Sequence, residues 1–246
     1  MIRAIFFDVG GTLIRPWPSV GGVYARVGRQ FGLPAEAEAM DAAFRQAWKE
    51  TKPSARLTTS EEGWWRVLVE RTLAIQGLEC PAGYFERLYA TFELPEAWQI
   101  FPEAVPALVA ARQRAAHVGV ISNWDSRLRP LLTNLGLTGY LDSITISCEV
   151  GAEKPSPHIF GEALRRFAGS VSLLRKQGLV GDHFLGLVAG FPSMGPKARD
   201  FRLAGARGEP LAQFGGGEVV RKQELHRLEP GGTRGGEARK KGPIWI

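Results

Sequence analysis

Cysteine is nearly absent from this 246-residue chain: Cys80 and Cys148 lie far apart and show no metal-ligand spacing. A disulfide framework or a thiolate metal cluster is therefore not expected, and two buried free thiols are the simpler reading. Long apolar runs are lacking too. No stretch approaches the ~20 residues that cross a bilayer, and the amino terminus leads straight into an apolar segment without a signal-peptide pattern. The expectation is a soluble, cytoplasmic protein with no membrane partner. The 30 glycines contain no G-x-x-x-x-G-K-[ST] phosphate loop, and no internal repeat is visible.

What is present is uneven. The formal charge of +6 would raise the question of nucleic acid, but its placement argues against such a partner. Residues 193–246 hold 11 of the 31 Lys and Arg against 6 of the 25 Asp and Glu, which leaves the preceding chain close to neutral. They also hold 11 of the 30 glycines. Without apolar periodicity, this Gly/Arg-rich tail is expected to be mostly irregular.

The remainder has 44% hydrophobic content over the whole chain to draw on, enough for one core with an accessory domain. Residues 2–7 read as a strand buried on both faces. From about Ser19 to Trp98 apolar residues recur at three and four, Pro34 and Pro81 sit near helix starts, and Ser60 with Glu61 and Glu62 gives a start signal. Then helices and short β-rich runs alternate: "HVGVIS", "DSITIS" and "GLVG" (178–181) are strands, separated by helical stretches. That alternation predicts right-handed βαβ crossovers. The fold class is α/β, a Rossmann-like parallel sheet core of residues 1–15 and 99–192 with an inserted α-helical cap of residues 16–98.

In such a sheet, ligands bind at the carboxyl ends of the strands. The polar residues expected there are Asp8 after the first strand, Ser122 and Asn123 after "HVGVI", Glu149 and Lys154 after "ITIS", and Asp182 after "GLVG". A buried carboxylate such as Asp8 is costly unless paired, so its place at a strand end points to a partner or a site.

In this order "DVGGTL", "ISN", "KP" and "VGD" resemble the four motifs of the haloacid dehalogenase superfamily of hydrolases. The helical insert resembles that family's cap, and "DVGGTL" with the paired Trp64 and Trp65 resembles a helical-cap subfamily. The likeness covers about residues 1–190. It implies a Mg²⁺-dependent phosphatase of small phosphorylated metabolites, with Asp8 as a nucleophile that forms an acyl phosphate. Asp8, the backbone carbonyl of Gly10 and Asp182 would hold the Mg²⁺. Thr12 and Ser122 would donate hydrogen bonds, the amides of Val9 and Asn123 would add donors, and Lys154 would neutralise charge.

Two positions depart from the family's pattern. Gly10 stands where its phosphatases carry a second acid that protonates the leaving group, so water or a cap residue such as Arg15 would have to substitute. Gly186 and Leu187 stand where another acid follows the last motif, and the segment after about Phe167 is expected to have been altered by splicing, deletion or a shifted reading frame. Comparing all frames of the encoding DNA checks this. A metal-independent 2-haloacid dehalogenase and a binding-only protein remain alternatives. Trp64 and Trp65 are expected in the cap core.

Overall fold

The computed structural model describes residues 2–51 and 60–176 together with the backbones of three short strands at 186–189, 201–202 and 213–214. Four strands form a parallel sheet: β1 (Ile2–Phe7), β4 (Ala115–Ser122), β5 (Ser143–Ile146) and β6 (Gly186–Ala189), in the order β5-β4-β1-β6. Register places Phe7 opposite Val120 and Ala189, and Ser122 opposite Ile146. Asp8 and Ser122 therefore emerge at neighbouring strand ends. The strand read at 178–181 lies outside the described residues, and β6 occupies the place beside β1. A two-residue antiparallel pair, β7 (Phe201–Arg202) with β8 (Gln213–Phe214), falls in the tail.

Helices α5 (Ala104–Arg114) and α7 (Pro157–Lys176) pack against this sheet. Alternation in β1 sends Ala4 and Phe6 to one face, where they join Ile121, Ile159, Ala163 and Phe167 in a buried cluster. His117 lies within this layer, 1% exposed, with Nε2 2.8 Å from the Ser143 hydroxyl and its ring between Phe6 and Phe167. Burial pushes its pKa below the ordinary value of 6.5, against the opposing charge of Asp142. The unfolded chain then binds a proton that the folded chain refuses. The stabilising contribution is complete above about pH 6.5 and is lost as pH falls through that value toward the folded pKa. We expect urea midpoints to fall between pH 7.5 and 5.5 more steeply for the wild type than for His117→Gln, with a difference of up to about 1.4 kcal/mol per pH unit. Parallel curves would rule out His117 as a source of acid sensitivity.

Contacts divide the chain into two units. The α/β unit comprises the residues up to Leu13, Phe101–Trp124 and the described residues from Leu137 onward. The helical unit comprises Ile14–Ile100 and Asp125–Gly136. The helical unit holds α1 (Val20–Gln30), α2 (Ala37–Glu50), α3 (Glu61–Ile75), α4 (Tyr84–Thr91) and α6 (Leu128–Asn134). It also holds an antiparallel ribbon of β2 (Ile14–Pro16) and β3 (Trp98–Ile100). Ser60 caps α3 as expected, accepting from Gly63 N. Pro34 and Pro81 instead precede the N-cap residues Glu36 and Gly83 by two residues. Trp64 and Trp65 are buried in edge-to-face contact, ring centroids 4.9 Å apart.

The packing of α1 on α2 depends on one glycine. Asp41 Oδ1 accepts from Gly21 N at 2.7 Å, supplying a partner to the first turn of α1. A Cβ at Gly21 would overlap the Ala37 carbonyl oxygen and the Asp41 backbone nitrogen, which no rotamer change relieves. Gly21→Ala should therefore destabilise the protein by about 1–3 kcal/mol, read as a lowered urea midpoint. An unchanged midpoint would show that the two helices part without cost. Among the described residues no helix is long and apolar enough to cross a membrane, and both cysteines are free thiols.

Candidate active site

The chain between β1 and β2 turns tightly. The N–H groups of Thr12 and Leu13 both donate to the Val9 carbonyl, at 3.2 and 2.9 Å, and Gly11 takes a left-handed conformation with φ of 71° that favours glycine. This turn leaves Asp8 at the strand end, its side chain 29% exposed. Thr12, in the same turn, is buried.

Three donors converge on Asp8 Oδ1: Val9 N at 2.7 Å, Lys154 Nζ at 2.8 Å and the Ser122 hydroxyl at 3.4 Å. Among the described residues Oδ2 has no hydrogen-bond partner. Among these residues the carboxylate is thus held by one oxygen only. Lys154 is aimed from two sides. Its Nζ also donates to the Ile121 carbonyl at 3.0 Å, and its backbone N–H donates to Asn123 Oδ1 at 2.7 Å. Asn123 Nδ2 returns a bond to the Lys154 carbonyl at 3.1 Å. The sequence pointed to the Asn123 amide as a donor; the structure shows its side chain clamping the Lys154 backbone.

The structure thus brings Asp8, Ser122, Asn123 and Lys154 together. Glu149 is drawn elsewhere, with Oε2 3.5 Å from Arg166 Nη1. Arg15 donates to the Gln99 side-chain oxygen through Nε at 2.9 Å and through Nη2. Asp182 lies outside the described residues. Sequence reasoning missed Ser147, whose hydroxyl accepts from Trp124 N at 3.0 Å and donates to Trp124 O at 3.1 Å, pinning the loop after Asn123. Its place at the end of the strand next to β4 was the available signal.

A divalent cation is tested by the donor set. Asp8 offers a carboxylate oxygen without a partner among the described residues, and the Gly10 backbone carries a carbonyl two residues on, so the available donors are hard oxygens of the kind Mg²⁺ takes. Among the described residues no group of three His, Cys, Asp or Glu side chains surrounds a further metal position.

A family model for haloacid dehalogenase-like hydrolases matches residues 2–178. The mouse haloacid dehalogenase-like hydrolase domain-containing protein 3 is 33% identical over 219 residues, covering 85% of this chain and 84% of its own. Among solved structures, a magnesium-bound HAD-hydrolase of Bacillus subtilis superposes with a TM-score of 0.58 at 18% identity, over 77% of this chain and 80% of that one. A defluorinating L-2-haloacid dehalogenase gives 0.55 at 20% identity, over 77% and 73%. Both likenesses concern the fold.

Proposed function

Since this chain belongs to the haloacid dehalogenase-like hydrolases, we propose that it hydrolyses small phosphate esters through an aspartyl phosphate on Asp8, with Mg²⁺ as cofactor. The observation that carries this reading is the one-sided grip on Asp8: Lys154, Val9 N and Ser122 all address Oδ1, and among the described residues none addresses Oδ2. A carboxylate fixed in this way has one lone-pair set aimed for attack.

In the first step an Asp8 oxygen attacks phosphorus, the ester P–O bond breaks, and the leaving alkoxide takes a proton from water, because Gly10 carries no acid. In the second step water attacks the phosphorus, the bond to Asp8 breaks, and inorganic phosphate leaves with the carboxylate restored. Lys154 offsets the charge that accumulates on Asp8 and the phosphoryl oxygens, Ser122 and the Asn123 amide offer donors to those oxygens, and the Val9 N–H holds Asp8 Oδ1. Thr12 supports the turn that presents Asp8. Asp8, the Gly10 carbonyl and Asp182 would hold Mg²⁺, which when bound screens the repulsion between carboxylate and substrate.

Gly10 favours a second reading, a 2-haloacid dehalogenase in which the same Asp8 displaces halide and no leaving-group acid is needed. Steady-state turnover of p-nitrophenyl phosphate with and without Mg²⁺, beside halide release from chloroacetate, separates the two. Mg²⁺-dependent phosphate release supports the proposal. Halide release without phosphate release overturns it in favour of the dehalogenase, and turnover of neither leaves a binding protein.

A further inference from the structure

The loop that carries Ser122 and Asn123 continues into an unusual residue. Asp125 is 2% exposed and its carboxylate accepts four hydrogen bonds. On Oδ2 these come from Trp65 Nε1 at 2.6 Å and Arg127 Nη2 at 2.6 Å, and on Oδ1 from the Arg127 backbone N–H at 3.1 Å and Arg127 Nε at 3.0 Å. Arg127 is enclosed in turn. Its Nη1 donates to the Tyr89 carbonyl at 3.2 Å, and the guanidinium lies over the rings of Tyr89 and Trp65, 3.8 and 5.3 Å from their centroids. Burial alone would lower the Arg127 pKa, but the hydrogen bonds and charge of Asp125 more than offset it.

A buried ion pair is a poor means of adding stability, since desolvation cancels much of the attraction; what it imposes is geometry. The geometry imposed here falls on the site loop. Ser122 ends β4, Asn123 clamps the Lys154 backbone, and Trp124 is fixed through both its N–H and its carbonyl by Ser147. The next residue in the chain is Asp125, whose carboxylate is held by the four bonds above. The upstream end of the loop is held by the sheet ladder. Its downstream end is held by Asp125.

We propose that Asp125, gripped by Trp65 and Arg127, is a positioning residue that fixes the downstream end of the loop presenting Ser122 and Asn123. The inference rests on the reading of Asp8 and Ser122 as a hydrolase site. It also gives the second tryptophan of the "WW" pair a task beyond filling the cap core.

Two variants test it. Trp65→Phe keeps the ring and removes one donor, so the protein should still fold, whereas Asp125→Asn leaves Arg127 without a counter-charge and is the harsher change. Amide hydrogen exchange reads the loop without requiring activity. In Trp65→Phe the amides of Asn123, Trp124 and Asp125 should exchange about fivefold faster or more, while those of Val118 and Val120 in β4 keep wild-type rates. In the active enzyme, kcat for p-nitrophenyl phosphate should fall about tenfold or more with KM nearly unchanged, because misplacement costs the transition state more than the ground state.

Gly21→Ala, which destabilises the helical unit elsewhere, is the control and should leave loop exchange and kcat as in wild type. Wild-type exchange at 123–125 in folded Trp65→Phe overturns the proposal, as does equal acceleration of these amides in Gly21→Ala. Should the wild type turn over no phosphate ester, the functional reading fails, and the exchange experiment still decides whether Asp125 anchors the loop.

Discussion

Asp8→Asn is expected to abolish hydrolysis, lowering kcat by about 10⁴-fold or more, since an amide oxygen cannot replace a carboxylate that forms and breaks a bond. The fold should survive. Asn Oδ1 still accepts from Val9 N, Ser122 and Lys154, and the Lys154 pair is partly solvated, with side chains 19% and 29% exposed. Its loss is accordingly worth only about 0–1 kcal/mol. The pair of measurements is steady-state turnover and a thermal melt by circular dichroism. Substantial turnover by a folded Asp8→Asn protein would refute the nucleophile assignment. Lost turnover with an unfolded protein would show that Asp8 is structural instead.

Gly10→Asp is expected to act in the opposite direction. A carboxyl at position 10 can protonate a leaving group, and general acid catalysis is typically worth ~10² to 10⁴ in rate. Alkyl phosphates, whose alkoxides leave poorly, should gain far more than aryl phosphates, whose phenolates need no proton. The backbone does not oppose the change, because the left-handed residue of this turn is Gly11 and not Gly10. The quantity to follow is the ratio of kcat/KM for an alkyl phosphate to that for p-nitrophenyl phosphate. A stable variant with an unchanged ratio would mean that the proton comes from elsewhere or that chemistry is not limiting.

The balance between the two readings of the protein turns on these variants. A protein inert as wild type and active as Gly10→Asp would be an impaired phosphatase with an intact nucleophile. One that displaces halide and is indifferent at position 10 would be a dehalogenase. The match to the family model ends at residue 178, four residues before Asp182, so the metal-binding part of the proposal needs its own test. Mg²⁺-induced stabilisation, and its loss in Asp182→Ala, addresses that residue directly.

Much of the architecture could be read from local pattern. Strand β1 is apolar from Ala4 to Phe7, all buried, and such a run declares itself without reference to its neighbours. The start of α3 is likewise a local event: Ser60 accepts from an N–H three residues ahead. Helix–strand alternation then predicted the parallel sheet, and of the polar residues read at strand ends Asp8, Ser122, Asn123 and Lys154 gather while Glu149 turns to Arg166. The short ribbon of β2 and β3 was not legible, because its two strands lie far apart in sequence and are each three residues long. Periodicity needs more residues than that to register.

The sequence by itself determined the α/β class, the longer elements and the places of Asp8, Ser122, Asn123 and Lys154 at the sheet's carboxyl end, since each follows from pattern within one segment. Tertiary structure alone decided how those residues are used. Asn123 clamps a backbone 31 residues away, Ser147 holds Trp124, and Asp125 finds Trp65 across 60 residues of chain. It also decided that residues 125–136 pack with the helical unit. Hydrogen-bond partners are set by distance in space, and a buried carboxylate has no preference in sequence for the indole or guanidinium that will satisfy it.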